Sequence, residues 1–265
     1  MALSKPVGIN LSKVSVDFPV QQLSAHTVGA EGSVDADADR FVEGNGRVFL
    51  RALDSIDLQV KVGERLGIWG KNGSGKTTLL RTIRGVYSPT EGEIAVQGRV
   101  QSFLNLTFGM NEDASGWENI LLRGVLMGST PGYMRSVSDQ IAEFSELGRH
   151  LDLPVRGYSA GMRMRLAFSI AMSLPADVIL MDEWLSVGDT EFREKAAQRL
   201  SAVLEDTRVL VIASHNRKLL ERLCTRIIVL EGGRIVSDLS TDNAEKRRVR
   251  VKGRSRQLGH NAAKS

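Results

Sequence analysis

Residues 70–77 read Gly-Lys-Asn-Gly-Ser-Gly-Lys-Thr, a complete G-x-x-x-x-G-K-[ST] pattern. The apolar stretch Arg65-Leu66-Gly67-Ile68-Trp69 precedes it, as a buried strand should. Thr77-Thr78-Leu79-Leu80-Arg81-Thr82-Ile83 follows with apolar residues at helical spacing, and Gly85 supplies a stop. Strand, glycine loop and helix therefore come in the order a phosphate-binding loop needs. The three glycines let the backbone curl and turn successive N–H groups inward, and the helix start adds its positive end to that nest. The expected phosphate contacts are Gly70, Lys71, Asn72, Gly73, Ser74, Gly75, Lys76, Thr77 and Thr78. Lys76 would reach the outer phosphates and the Thr77 hydroxyl would hold Mg²⁺.

Further along, Val178-Ile179-Leu180-Met181 runs straight into Asp182-Glu183. A strand this apolar is central, and its carboxyl end opens onto the crevice where ligands bind. Asp182 is the second candidate for Mg²⁺, through its water shell. Glu183 is placed to polarise an attacking water. Two acids at an ordinary strand end would carry no weight alone. Their place downstream of a phosphate loop gives them one.

The strands extend this pattern. Residues 9–18 alternate, with Pro19 closing them; residues 20–46 read as an irregular, acidic excursion; residues 47–62 return to period two. Short strands are expected at 93–96 and 99–104, mostly helix over 117–173, a helix over about 190–205 and a short one over about 216–223. Val209–Ala213 and Arg226–Leu230 complete a set of buried strands. Strands alternating with helices predict an α/β fold, a parallel sheet covered on both faces.

Composition is that of a water-exposed globular chain. Of 265 residues, 42% are hydrophobic and 25% charged, and the longest near-apolar run, Leu166–Leu174, is far short of the about 20 residues a bilayer requires. The N-terminal residues lack a secretory-type apolar stretch. Cys224 is the single cysteine, which excludes an internal disulfide and predicts a reducing compartment. The net charge of +4 is concentrated at the end: Lys246, Arg247, Arg248, Arg250, Lys252, Arg254, Arg256 and Lys264. Residues 246–265 are expected to be a disordered, solvated tail, with anionic lipid as the next reading. No aromatic residue is interleaved with these charges, so nucleic acid is not expected as a partner.

Taken together, the phosphate loop, Tyr158-Ser159-Ala160-Gly161-Met162, the Asp182-Glu183 pair and Ser214-His215 occur in one order, which resembles the nucleotide-binding subunit of ABC transporters. The likeness spans roughly residues 9–237. It implies a P-loop NTPase of ABC type over residues 1–245, with a RecA-like parallel-sheet core, an N-terminal antiparallel β subdomain and a helical subdomain at about 107–173. Tyr158–Met162 stands where the family has Leu-Ser-Gly-Gly-Gln. Ser159 and Gly161 are retained, whereas Tyr158, Ala160 and Met162 depart. The variant is similar to the ATPase subunits of polysaccharide exporters, which serve O-antigen, capsule, teichoic acid and galactan. Phe108-Gly109-Met110-Asn111, Gly116-Trp117-Glu118-Asn119-Ile120 and Ser186-Val187-Gly188-Asp189 resemble that subfamily too.

The resemblance implies an ATP-hydrolysing motor using ATP and Mg²⁺, with Glu183 and His215 catalytic. It implies a homodimer in which Ser159, Ala160, Gly161 and Met162 of one copy meet the nucleotide of the other, with Asp189 at the dimer contact. Adenine would stack on an aromatic after the first strand; Phe18 is the candidate, and it reads equally as a core residue. The usual Mg²⁺-linked Gln is missing, and Asn105 occupies about its place. The chain would work at the cytoplasmic face of the inner membrane on a polytopic permease, docking through residues 107–157. With about 28 residues after position 237, a carbohydrate-binding domain of its own is not expected. Two other readings stay open: a soluble ABC-type ATPase acting on ribosomes or DNA, and a motor for a different cargo such as a drug or lipid.

Overall fold

A computed structural model describes residues 7–20, 40–44, 46–182 and 190–241. Glu183, Asp189 and the basic tail lie outside the described residues. The chain forms two compact units. The first contains residues 1–98, 181–183 and 208–265, and the second contains residues 99–180 and 184–207.

In the first unit, β1 (Gly8–Pro19), β2 (Phe41–Gly44), β3 (Arg47–Lys61) and β5 (Glu91–Gln97) form an antiparallel sheet in the order β2-β3-β1-β5. The long β3 pairs with β1 from Gly8↔Lys61 to Pro19↔Phe49, with register shifts that let the strands curve. Their alternation buries Ile9, Leu11, Ile56, Leu58 and Val60. The region read from sequence as irregular contains a strand: Phe41–Gly44 pairs with Arg47–Leu50. Three of its four residues are exposed. An edge strand of this kind is held by cross-strand backbone bonds, so no hydrophobic period announces it.

The parallel core of this unit holds β4 (Arg65–Trp69) between β8 (Val209–Ser214) and β9 (Arg226–Glu231), with β10 (Arg234–Ser240) antiparallel at the edge. All six residues of β8 are buried, which explains its unbroken apolar sequence. The helix α1 (Lys76–Arg84) follows β4, and α6 (Arg217–Leu223) follows β8. Cys224 is wholly buried, with its sulfur 3.2 Å from where a side chain on Gly67 would begin. Burial pushes its thiol pKa up to about 12, so it stays a protonated packing group.

The second unit begins with β6 (Val100–Ser102), parallel to β7 (Val178–Asp182), whose last two residues, Met181 and Asp182, group with the first unit. Its helices are α2 (Gly116–Leu126), α3 (Pro131–Ser145), α4 (Ala160–Met172) and α5 (Thr190–Asp206). Ile120, Met134, Ile141, Leu151, Leu166 and Ile170 meet in one core, and Phe144, Phe168 and Phe192 pack ring against ring. A capping box starts α2: Ser115 Oγ accepts the Glu118 N–H, and the Glu118 carboxylate accepts the Ser115 N–H.

Asn119 explains the Glu-Asn sequence at that helix start. It is fully buried; its Nδ2 donates to the carbonyls of Asn111 and Ala114, and its Oδ1 accepts the Asn111 N–H. The side chain thus ties the loop before α2 to the helix. Asn119→Ala strands those buried backbone groups and is expected to cost about 2–3 kcal/mol of stability. A shift of the urea midpoint to lower concentration at unchanged slope checks this; an unmoved midpoint refutes it.

Candidate functional site

The first unit brings the phosphate loop, Asp182 and the end of β8 together. Gly73 and Gly75 adopt positive φ of 81° and 104°. At Gly75 a side chain would begin 2.8 Å from the Ala52 carbonyl, so both sterics and conformation demand glycine there. No side chain caps the start of α1. The first-turn N–H groups, which lack intrahelical partners, therefore face the nest. Lys76 is mostly buried, and its Nζ donates to the carbonyls of Gly70 (2.7 Å) and Lys71 (2.8 Å). The ammonium is held inside the curl of the loop.

The Thr77 hydroxyl donates to Asp182 Oδ2 at 2.6 Å, joining residues 105 positions apart in sequence. This contact unites the two Mg²⁺ candidates. A hydroxyl and a carboxylate beside a phosphate nest are the hard oxygen donors that Mg²⁺ takes, the rest of its shell being phosphate and water. His215 follows β8 and is exposed; its carbonyl accepts Trp69 Nε1 at 3.2 Å, and Trp69 pairs in register with Ser214. It therefore sits beside the entry to the phosphate loop. Glu183 follows Asp182 directly in sequence and lies outside the described residues.

Phe18 is half-buried at the end of β1, where its ring meets Tyr87 edge-on at 4.9 Å. Tyr87 went unnoticed in sequence, as did two arginines beside the loop. Arg40 donates through Nη1 to the Gly73 carbonyl (3.0 Å) and through Nε to the Arg51 carbonyl (3.2 Å). Arg51 bridges Asp17 and Glu91. Both line a cavity of about 690 Å³ along the outer side of Lys71–Ser74, with Arg234 across it. Asp54 pairs with Arg234, and this cation lowers the Asp54 carboxyl pKa against the opposing effect of burial, the largest single influence. Nothing in the local sequence around Arg40 signals this; only the β2–β3 pairing carries it to the loop.

In the second unit, Ser159 is the N-cap of α4 and its Oγ accepts the Met162 N–H at 3.2 Å. Ser159, Gly161 and Met162 line a cavity of about 250 Å³ with Glu146, His150 and Arg165. Ala160 is exposed, and Met162 is half-buried against the helical core. Tyr158 is buried, and its hydroxyl donates to the His150 carbonyl at 2.6 Å. The departure from Leu at this place thus adds a polar tether to a core position. Burial, with Asp152 nearby, raises the phenol pKa. Asn105 is exposed in the turn after β6, its carbonyl accepting the Phe108 N–H at 3.3 Å.

Comparison with known proteins agrees with this geometry. The sequence profile described as "ABC transporter" matches residues 53–186. The chain is 42% identical over 191 residues to an O-antigen export system ATP-binding protein of Yersinia enterocolitica, covering 72% of this chain and 80% of that one. It is 34% identical over 229 residues to the O-antigen export ATP-binding protein of Klebsiella pneumoniae, covering 86% and 91%. A teichoic acids export ATP-binding protein of Staphylococcus haemolyticus is 32% identical over 229 residues, covering 86% and 83%. Among solved structures, a dimeric ATP-binding cassette in a post-hydrolysis state with ADP and Pi superposes with a TM-score of 0.63 at 20% identity, covering 88% of this chain and 98% of that one.

Proposed function

Because the chain belongs to the ABC transporter family, we propose that it is the ATP-hydrolysing motor of an exporter that moves a polysaccharide or lipid-linked glycan across the cytoplasmic membrane. The nucleotide chemistry rests on one observation above all, the Thr77–Asp182 hydrogen bond beside the Lys76 nest. The cargo rests on the likeness to O-antigen and teichoic acid export proteins. A ribosome- or DNA-directed ATPase has no comparable support among these relatives.

Each residue has a derivable task. Backbone N–H groups of Gly73–Thr78 bind the phosphate oxygens, and Lys76 exchanges its two carbonyl partners for the outer phosphates. Thr77 and Asp182 would hold Mg²⁺, which when bound offsets charge on the phosphates. Glu183 accepts a proton from the attacking water, and His215 orients that water and the γ-phosphate. Phe18 stands as the adenine platform.

Two copies share the work. Ser159, Ala160, Gly161 and Met162 of one copy close over the nucleotide of the other, with Asp189 at their contact. Loss of the γ-phosphate then lets the pair separate. No helix among the described residues is long and apolar enough to cross a membrane. In this reading the transport path belongs to a polytopic partner, on whose cytoplasmic side the motor sits.

Ser159→Arg tests the shared site. The variant is expected to bind ATP with wild-type affinity and to lose ATP-driven dimerisation, read by light scattering after size-exclusion chromatography. Undiminished pairing would sink the sandwich arrangement. The cargo is tested with the motor and its membrane subunit in proteoliposomes, where lipid-linked glycan is expected to stimulate turnover and to be translocated. Stimulation by an unrelated lipid or drug alone would reassign the cargo.

A further inference from the structure

Trp69 closes β4 one residue before the phosphate loop. Leu66, Gly67 and Ile68 ahead of it are buried, whereas the indole is half-buried at the carboxyl end of the strand. Parallel pairing sets Trp69 beside Ser214, the last residue of β8. From there the indole reaches one residue further, and its Nε1 donates to the His215 carbonyl at 3.2 Å. The Arg217 guanidinium lies over the same ring, 5.6 Å from its centroid, and pairs with Glu221 at 3.0 Å. An indole suits both tasks, since its edge donates while its face takes the cation.

The segment it touches is held on both sides of His215. Ser214 is buried, and its Oγ accepts the Asn216 N–H at 3.1 Å. Asn216 in turn caps α6, its Oδ1 accepting the Leu219 N–H at 3.1 Å. Those bonds act within the segment, whereas the indole ties it to the strand that feeds the phosphate loop. Gly70, the residue after Trp69, lends its carbonyl to Lys76 Nζ at 2.7 Å. One side chain thus joins the place that receives the phosphates to the residue read as acting on the terminal one. The Trp69–His215 bond is exposed, so water can replace it at small cost to folding. A reaction that must align a side chain with a phosphate is less forgiving, because slight misplacement lowers the rate while binding persists.

We infer that Trp69 is a positioning residue for ATP hydrolysis, its indole N–H fixing the His215 backbone so that the imidazole meets the γ-phosphate and the attacking water. The inference rests on the role given to His215 above and adds to it the group that orients that residue.

The test follows phosphate release by the purified full chain over a range of ATP concentrations. Trp69→Phe keeps a ring beneath Arg217 and deletes the donor. It is expected to lower kcat by about three- to tenfold, the worth of one hydrogen bond, with the KM for ATP and the melting temperature unmoved. In a His215→Ala background the same substitution is expected to cost nothing further, because the two residues act as a unit. An unchanged kcat for Trp69→Phe overturns the inference and leaves the motor reading standing. A raised KM at constant kcat also overturns it, since the indole then serves the phosphate loop instead of His215. So does a further loss in the His215→Ala background, the result a general defect in folding would give. Wild-type hydrolysis by His215→Ala overturns both the inference and the role of His215 on which it rests.

Discussion

Lys76→Ala is expected to lose ATP hydrolysis by on the order of 10²–10³-fold, together with most nucleotide affinity. The ammonium lies within the loop, bonded to the Gly70 and Lys71 carbonyls. It is therefore pre-positioned, and little reorganisation is needed to turn it toward phosphate. Alanine removes a charge-assisted contact from a mostly buried place where water is a poor substitute. The same truncation frees two loop carbonyls, so the empty loop loses its internal brace as well. Fluorescent-nucleotide titration reads the affinity, and phosphate release reads the turnover. Unchanged affinity would contradict the assignment of residues 70–78 as the phosphate site.

Glu183→Gln separates binding from chemistry. Loss of a general base is expected to lower turnover by about 10²–10⁴-fold. Glutamine keeps the shape and hydrogen-bonding reach but cannot accept the proton. The phosphate nest, Lys76 and the Thr77–Asp182 pair are untouched, so ATP still binds. Two copies are then expected to stay closed on the uncleaved nucleotide. The readouts are single-turnover hydrolysis and the dimer fraction with ATP against ADP. Wild-type turnover would remove Glu183 from the reaction. Slow turnover without a persistent dimer would keep the base and discard the coupling of hydrolysis to separation.

Much of this site was legible because its chemistry is contiguous. A phosphate loop is made by backbone groups of eight successive residues, so spacing alone exposes it. The Asp182 strand was legible because a fully buried parallel strand has no polar face, and its first acid marks the carboxyl end. Ser159 was singled out in the sequence only by resemblance; the structure makes it the N-cap of α4. Phe41–Gly44 did not announce itself, because an exposed edge strand is specified by its partner's backbone. Met162 is similar: sequence placed it in the signature, while the structure packs its side chain against the helical core.

Sequence by itself therefore determined where the candidate groups lie: a glycine loop between strand and helix, and an acid at the end of an apolar strand. Tertiary structure alone decided which distant groups meet. It set Thr77 on Asp182 and laid Arg40 on the Gly73 carbonyl. The physical reason is range. Local periodicity and turn chemistry act over a few residues, whereas these contacts follow from strand order, cross-strand register and packing between segments far apart in the chain.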